Sequence, residues 1–348
     1  MLITFCCIGF CSNASSQLER TRDVFPGATW ELAKKAEAGN WSDVKLAAVD
    51  EYARTLQTNS YVIVQRGRIV HEYGDTTRPV NIQSMRKSVC SILVGIYSDS
   101  GMIHLDSTLE QLGIDDKGGL SQGEKQATLK QLIEGRSGVY HPGALEAIQF
   151  AGPRPPRDSF KPGEHFYYNN WDFNAVGVAF AKLTGKTVLD SFQDDLATPL
   201  QMEDYSSAAD GRFVHEDVSD IPAYVFRLSA RDMARVGLLM SRQGIWNGKQ
   251  LLSKSWIGES TASYSDFSPG YLGFGYMWFV GLDQTHVSTK FLGHTRFAAI
   301  GSGGQEMIVV PEWDLVIVHN VDIERSPDSN VTDPQLGQLV KMIVESMD

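Results

Sequence analysis

The chain contains 348 residues, and 42% of them are apolar, so it can bury a large core as one domain or as two closely packed domains. Acidic residues outnumber basic ones by 42 to 31, which gives a net charge of −11. This charge repels polyphosphate backbones, and the sequence has no compensating Lys/Arg cluster, so nucleic acid is not an expected partner.

The N-terminal residues have the pattern of a secretory leader. Residues 2–11 are an apolar run too short to span a bilayer, and small polar residues follow. Although no Lys or Arg lies near the first residue, we expect a signal peptide over residues 1–14 and a periplasmic or secreted protein, with a cytoplasmic location as the alternative. Bulky Phe10 disfavours a lipid anchor at Cys11. No other segment approaches membrane-spanning length, so no stable membrane insertion is expected.

Strand-forming segments lie at both ends of the chain. Residues 60–74 have the pattern of a β-hairpin with its turn at Arg66-Gly67-Arg68. Near the C-terminus, further β-prone runs lie at 273–281, 306–310 and 315–321, followed by an amphipathic helix at about 334–347. The middle of the chain has helical patterns at 88–98, 129–134, 174–183 and 229–240.

This order of elements predicts an α/β (α+β) fold. We expect one antiparallel sheet built from both chain ends, at about 55–75 and 270–348, with a helical subdomain inserted at about 76–265. Residues 15–50 are expected to form an N-terminal extension or helix, and residues 51–348 the main domain.

Ser84 and Lys87 are the first candidate catalytic pair. Apolar residues repeat at helical spacing after Ser84, so we expect Ser84 in the first turn of a buried helix, with Lys87 one turn on along the same face. A serine hydroxyl becomes a strong nucleophile when a base takes its proton, and lysine can be that base if burial or a nearby cation lowers its pKa. The Ser84 N–H, at a helix N-terminus, can also stabilise an oxyanion. Cys90 is expected to pack inside this helix, and since the other three cysteines lie in the leader, no internal disulfide is expected.

Two other serine patterns compete with this pair. Ser42-x-x-Lys45 has the same spacing, but no strongly apolar helix face follows it. Gly119-Leu-Ser121-Gln-Gly123 spells the nucleophile elbow of α/β-hydrolases, yet polar residues flank it on both sides where a buried strand and a helix are required. A polar loop is the interpretation that these neighbours favour.

A second candidate element follows Pro162-Gly163. A short extended run there leads into a helix expected to begin near residue 172, and a Tyr-x-Asn in the run can present a phenol and an amide to a cleft. From the residues alone, both Tyr167 with Asn169 and Tyr168 with Asn170 satisfy this pattern. An aromatic plug with a helix-capping Asn is the structural alternative.

The third element is Gly301-Ser302-Gly303-Gly304-Gln305, which leads directly into a predicted strand. Glycines at this point let a ligand approach the backbone closely, so that an oxyanion could accept a hydrogen bond from a backbone N–H. A plain glycine turn explains the pattern equally well.

Taken in order, the three elements resemble the motifs of the serine β-lactamase and penicillin-binding-protein superfamily, over roughly residues 50 to 345. They are most similar to its class C-like branch, which includes family VIII-type esterases and 6-aminohexanoate-dimer hydrolases. The resemblance implies that Ser84 and Lys87 are the Ser-x-x-Lys pair. A Pro-Gly-x-x-Phe sequence precedes the second motif in this branch, and here it selects Tyr168 with the supporting Asn170.

The third motif departs from the family pattern. β-Lactamases and DD-peptidases carry Lys-Thr-Gly or His-Thr-Gly where this chain has Ala299-Ile300-Gly301. The loss of that pair removes a charge-assisted contact to a substrate carboxylate, so β-lactam and D-Ala-D-Ala substrates become less expected. By this alignment Gly301 matches the motif glycine, and Ser302, followed by Gly303, supplies the second oxyanion N–H, while a shift to Gly304 stays open.

The resemblance implies a hydrolase that forms an acyl-enzyme on a small ester or amide substrate and needs no cofactor or metal. Lys87, with Tyr168, would deprotonate Ser84. A β-lactamase or DD-carboxypeptidase is the alternative within the family, and a non-catalytic penicillin-binding-like sensor is the alternative of another class. The eight histidines show no metal-ligand spacing, and the sequence does not indicate an oligomeric state.

Substrate selection is expected to lie in the loops 139–160 and 264–271. Tyr140 and His141 in the first loop are candidate lining residues, together with Trp171 and Asp172 just after the second motif. Packing explains the aromatic residues equally well, and an acidic residue at a helix start is more often a cap than a substrate ligand.

Overall fold

The computed structural model describes residues 24–34, 41–146, 152–268, 272–281 and 296–347, so the predicted signal peptide and Cys11 lie outside the described residues. The helices are α1 Asp43–Arg54, α2 Met85–Asp99, α3 Leu129–Ile133, α4 Asn170–Thr184, α5 Val188–Ser191, α6 Ser207–Asp210, α7 Ala230–Ser241, α8 Lys254–Ser260 and α9 Asp333–Glu345. The strands are β1 Ser60–Gln65, β2 Arg68–Gly74, β3 Val80–Asn81, β4 Gly211–Val214, β5 Ala223–Leu228, β6 Ile245–Trp246, β7 Lys249–Gln250, β8 Ser265–Ser268, β9 Leu272–Phe274, β10 Phe279–Gly281, β11 Phe297–Gly301, β12 Gln305–Val310 and β13 Leu315–Asn320.

One antiparallel sheet organises the fold. Eight of the described strands form it in the order β2-β1-β13-β12-β11-β10-β9-β8. Strand β1 pairs with β2 on one side and with β13, from the end of the chain, on the other. The two chain ends therefore build a single sheet with the helices inserted between them, which confirms the predicted fold class.

The β1–β2 hairpin turns where the sequence predicted it. Arg66 and Gly67 both have positive φ, 52° and 76°, as a two-residue type I′ turn requires. Glycine adopts this conformation without steric cost, and a turn of this kind matches the right-handed twist of the flanking strands.

Helices cover both faces of the sheet, and alternation along the strands explains why. In β1, Val62 and Val64 face the large core that contains α2 and α7, whereas Tyr61 and Ile63 face the smaller core formed with α1 and α9. Strands β12 and β13 alternate in the same way and are buried along their whole length. Helix α1 covers the outer face of the sheet. Because this helix spans Asp43–Arg54, the domain boundary expected at residue 50 lies within it.

The structure adds elements that the sequence patterns did not predict. The helical insertion carries a small sheet of order β3-β5-β4, and the run predicted at 273–281 is two strands, β9 and β10, that pair with each other. The segment 264–271, expected to be a loop, contains edge strand β8. These strands are only two to six residues long, too short to give a clear period.

The expectation for Cys90 is also met. Cys90 is a free cysteine buried inside α2, and burial raises the pKa of its thiol to about 12. Among the helices of the described chain, none has the length and apolar character needed to cross a membrane.

Candidate active site

Ser84 lies immediately before α2, at the point where the chain leaves β3. Gln83, just before it, has a φ of 51°, in the left-handed region that non-glycine residues seldom adopt. The side chain of Asn81 accepts a hydrogen bond from the Gln83 N–H at 3.0 Å and holds this turn. Ser84 does not cap the helix with its own hydroxyl, so the Oγ atom is left for other contacts.

Lys87 and Tyr168 meet at Ser84. The Lys87 Nζ atom lies 2.8 Å from Ser84 Oγ and 2.8 Å from the Tyr168 hydroxyl. Lys87 reaches Ser84 because residues three apart on a helix share a face. Tyr168 comes from the extended run before α4, and its ring is held against Phe173, Phe267, Phe274 and Phe279.

The surroundings of Lys87 and Tyr168 assign different proton roles to them. Lys87 is 2% exposed, and burial, assisted by the nearby Arg86 cation, holds its pKa well below the ordinary value for lysine. Burial raises the pKa of Tyr168 to about 12, against opposing effects of Ser84 and Arg86. The lowered pKa favours an uncharged Lys87 amine that can accept the Ser84 proton, and the raised pKa favours a protonated Tyr168 phenol that can donate one.

The two asparagines of the second motif differ in role. Asn169 is the N-cap of α4: its side-chain oxygen accepts from the Trp171 N–H, and its amide donates to the Val139 carbonyl at 2.7 Å. Asn170 is the first residue of α4, which begins two residues before the expected start near residue 172, and its amide donates to the Leu145 carbonyl. The Asn170 Oδ1 atom is buried without a partner among the described residues, so it is available to a substrate donor.

The glycine-rich third element is the tight turn between β11 and β12. Gly301 pairs with Gln305, and Gly303 and Gly304 both have positive φ. At Gly301 a Cβ atom would lie 2.7 Å from the Ile82 carbonyl oxygen, so the glycine allows β11 to pack directly against the chain that leads into Ser84. This close approach is how the third element and the nucleophile come together.

Two clefts meet at Ser84 and Ser302. The first, of about 360 Å³, is bordered by Tyr168 and by apolar side chains from four strands; we call it the apolar cleft. Those side chains are Phe267, Leu272, Phe279 and Ile300. The second, of about 340 Å³, is bordered by Arg86, Glu146, Asn170 and Arg212; we call it the polar cleft. A group bound to Ser84 can therefore extend in two chemically different directions.

Four predicted lining residues border neither of these clefts and make contacts inside the helical subdomain. Both ring nitrogens of His141 lie near backbone carbonyls, 2.7 Å from that of Pro142 and 2.9 Å from that of Lys117, and Trp171 donates to Asp116 at 2.6 Å. Asp172 is buried and accepts from Ser137 at 2.7 Å, while burial raises its pKa well above the ordinary value. Tyr140 is buried with its ring edge-on to Phe160 and Tyr167. These side chains pack the helical subdomain.

The loops predicted to select the substrate do reach the site, but through other residues. Leu145 and Glu146, from the range 139–160, border the polar cleft, and Phe267, from the range 264–271, borders the apolar cleft. Residues 147–151 and 269–271 of these ranges lie outside the described residues. Sequence reasoning missed Arg86, which stands within the first motif, because no pattern signals that this charged side chain is 3% exposed.

The two competing serines have other contacts. Ser42 is the N-cap of α1, where its hydroxyl accepts from the Lys45 N–H, while Lys45 Nζ donates to the Glu345 carbonyl at 2.9 Å. Ser121 lies in a turn, not between a strand and a helix, and its hydroxyl donates to Asp158 while its backbone N–H donates to Glu124. Within the described ranges, no group of three His, Cys, Asp or Glu side chains is arranged to hold a metal ion.

Behind the third element, His319 links the glycine turn to the sheet. Its Nδ1 atom lies 2.6 Å from the Gly304 carbonyl, which can only accept, so Nδ1 carries the hydrogen and Nε2 accepts from Thr58 at 2.9 Å. Burial lowers the pKa of His319 to about 4 from its ordinary 6.5. The fold therefore favours neutral His319, and its stabilising effect is present above pH 6.5 and is lost as the pH falls from 6.5 to 4.

We expect acidification over this range to lower the free energy of unfolding by about 3 kcal/mol through His319, since each pKa unit corresponds to about 1.4 kcal/mol. The variant His319→Gln should lose stability at pH 7.5 but show a shallower decline between pH 6.5 and 4. Urea unfolding at several pH values measures this, with the exposed His104→Gln as control. Equal pH slopes for wild type and His319→Gln would contradict the assignment.

The fold is a helical subdomain inserted into an antiparallel sheet that both chain ends build. At the site, a Ser-x-x-Lys pair at a helix N-terminus faces a Tyr-x-Asn element and a glycine-rich turn. This combination defines a serine hydrolase of the β-lactamase type. A family model described as Beta-lactamase matches residues 49–341. The chain belongs to this family, and the superfamily resemblance seen in its sequence is thereby confirmed.

Solved structures show the same fold. A putative 6-aminohexanoate-dimer hydrolase from Bacillus anthracis has a TM-score of 0.66 at 18% identity, covering 92% of this chain and 87% of its own. A penicillin-binding protein homologue from Caulobacter crescentus has a TM-score of 0.64 at 16% identity, with coverage of 88% and 99%. A class C β-lactamase in complex with cefoxitin has a TM-score of 0.62 at 16% identity, with coverage of 87% and 99%. A comparison with curated proteins gave no match.

Proposed function

We propose that this protein hydrolyses small ester or amide substrates through an acyl-enzyme on Ser84. The observation that carries the proposal is the contact of 2.8 Å between Ser84 Oγ and the buried amine of Lys87. A lowered pKa favours the uncharged amine, which can act as a base, and a base in hydrogen-bond contact with a serine hydroxyl activates it.

The proton path follows from the two contacts of Lys87. As Ser84 Oγ bonds to the substrate carbonyl carbon, its proton passes to Lys87 Nζ. Tyr168 then protonates the departing oxygen or nitrogen and regains a proton from Lys87 across their contact of 2.8 Å. Water attacks the resulting ester of Ser84 in the second half-reaction and releases the acid.

The backbone N–H groups of Ser84 and Ser302 would hold the oxyanion. Both residues border both clefts, and the Ser84 N–H lies at the N-terminus of a 15-residue helix, where partial positive charge accumulates.

The apolar cleft supports a preference against β-lactams and D-Ala-D-Ala peptides. None of the described residues bordering it is Lys, Arg or His, and Glu306 and Asp333 place two carboxylates there. A substrate carboxylate on this side would meet no cation among these described residues, whereas the family pattern of Lys-Thr-Gly would have offered one.

Steady-state hydrolysis of 4-nitrophenyl esters, short amides and nitrocefin tests the proposal, with Ser84→Ala as the control. We expect turnover of esters or amides that Ser84→Ala lacks, and little turnover of nitrocefin. Efficient turnover of nitrocefin alone would point to a β-lactamase instead. Absence of turnover and of any covalent adduct would indicate a non-catalytic sensor.

A further inference from the structure

Arg86 is a buried cation with incomplete pairing, two residues from the nucleophile. It is 3% exposed, donates to the side-chain oxygen of Asn174 at 2.9 Å, and lies 4.7 Å from the ring centre of Tyr224. Among the described residues its Nη1 atom has no hydrogen-bond partner, and the guanidinium contacts a neutral amide and a neutral ring rather than a carboxylate. Buried charges are normally paired because desolvation is costly, so this guanidinium can accept an anionic partner that the described residues do not supply.

The other charged side chains that border the polar cleft already have partners of opposite charge. Arg212 pairs with Glu324 at 3.3 Å, and the carboxylate of Glu146 accepts from Arg154 and from the Gly143 N–H. Among the described residues that border this cleft, Arg86 is therefore the cation without a carboxylate partner.

The geometry of proton transfer decides which part of a substrate meets Arg86. Tyr168, which would protonate the leaving group, borders the apolar cleft and not the polar one. The leaving group therefore departs on the apolar side, and the acyl group attached to Ser84 occupies the polar cleft beside Arg86.

We propose that the acyl group carries a carboxylate that pairs with Arg86, so that the substrates are half-esters or half-amides of dicarboxylic acids. This inference rests on the proposed acyl-enzyme at Ser84. Guanidinium and carboxylate form charge-assisted hydrogen bonds of matching planar geometry. The unpartnered Asn170 Oδ1 atom is an acceptor in the same cleft, and it suits an N–H or O–H on the acyl chain.

Arg86 also lowers the pKa of Lys87, so its removal alters the base as well as the cleft. The ratio of kcat/KM for two substrates separates the effect on the cleft from the effect on the base, since both substrates use the same Lys87. We compare the 4-nitrophenyl half-ester of glutaric acid with 4-nitrophenyl pentanoate, which has a methyl group in place of the carboxylate, and extend the series to succinyl and adipyl half-esters.

Wild type is expected to prefer the charged ester by about tenfold or more in kcat/KM, the scale of one hydrogen bond to a charged group. Arg86→Gln should reduce this ratio to about one, and Arg86→Lys should keep part of it. Arg54→Gln, at an exposed arginine of α1 that borders neither cleft, should keep the wild-type ratio. The wild-type comparison needs no variant, so it decides the question even if Arg86→Gln fails to fold.

A wild-type preference for the neutral ester, or equal losses on both esters in a folded Arg86→Gln, overturns the inference and leaves the acyl-enzyme proposal standing. Absence of turnover for every ester, together with no adduct at Ser84, overturns the proposed function itself.

Discussion

Replacing Lys87 with methionine is expected to slow acylation of Ser84 by about 10²- to 10⁴-fold, the usual contribution of a general base. Methionine fills similar volume in this buried position, so the fold should survive while the Ser84 proton loses its acceptor. The measurement is kcat/KM for a 4-nitrophenyl ester. Lys182→Met, on the exposed side of α4, is the matched control and should retain wild-type activity.

The pH dependence of the same reaction identifies the base. Because Lys87 must be uncharged to accept a proton, wild-type kcat/KM should rise with pH through the pKa of Lys87, at a pH well below the ordinary pKa of lysine. Lys87→Met should lack this rise. Activity in Lys87→Met within a few-fold of wild type would show that another group activates Ser84.

Tyr168→Phe is expected to show an effect that depends on the leaving group. The ring contacts with Phe173 and Phe274 remain, and only the phenol that protonates the leaving group is lost. Hydrolysis of an amide or alkyl ester should fall by about 10²- to 10⁴-fold, whereas a 4-nitrophenyl ester, whose phenolate leaves without a proton, should lose much less.

The neighbouring Tyr167→Phe serves as the matched control. The Tyr167 hydroxyl contacts the Gly152 carbonyl at 3.4 Å, away from Ser84, so both substrates should be hydrolysed at nearly the wild-type rate. If Tyr168→Phe slowed both substrate types equally, or if Tyr167→Phe matched it, the role given to Tyr168 would be wrong.

The strands and the nucleophile helix were predictable because their signals are local. The turn at Arg66-Gly67, the paired strands near the C-terminus and the apolar spacing after Ser84 each depend on residues close in sequence. Local sequence did not determine which of the two Tyr-x-Asn pairs forms the second motif. Tyr167 and Tyr168 project to opposite sides of an extended run, and only the resemblance to a family, and then the contact with Lys87, favours Tyr168.

The lining of the clefts could not be predicted because it is assembled from distant segments. Phe267 and Ile300 come from different strands of the sheet, and their convergence depends on strand order, which sequence patterns do not reveal. His141 and Trp171 are residue types that often line binding sites. In the structure, however, the His141 ring lies against backbone carbonyls and the Trp171 indole N–H donates to Asp116. Burial, unlike residue type, is a property of the whole fold.

Ser84 is proposed to form a covalent acyl-enzyme, and intact-mass measurement detects such a species without relying on turnover. The protein is incubated with a fluorophosphonate or a slowly released ester, weighed, digested and mapped. We predict one adduct per chain, on the peptide that contains Ser84, and no adduct on Ser84→Ala. An adduct that persists on Ser84→Ala, or no adduct on active wild-type protein, would show that Ser84 is not the nucleophile.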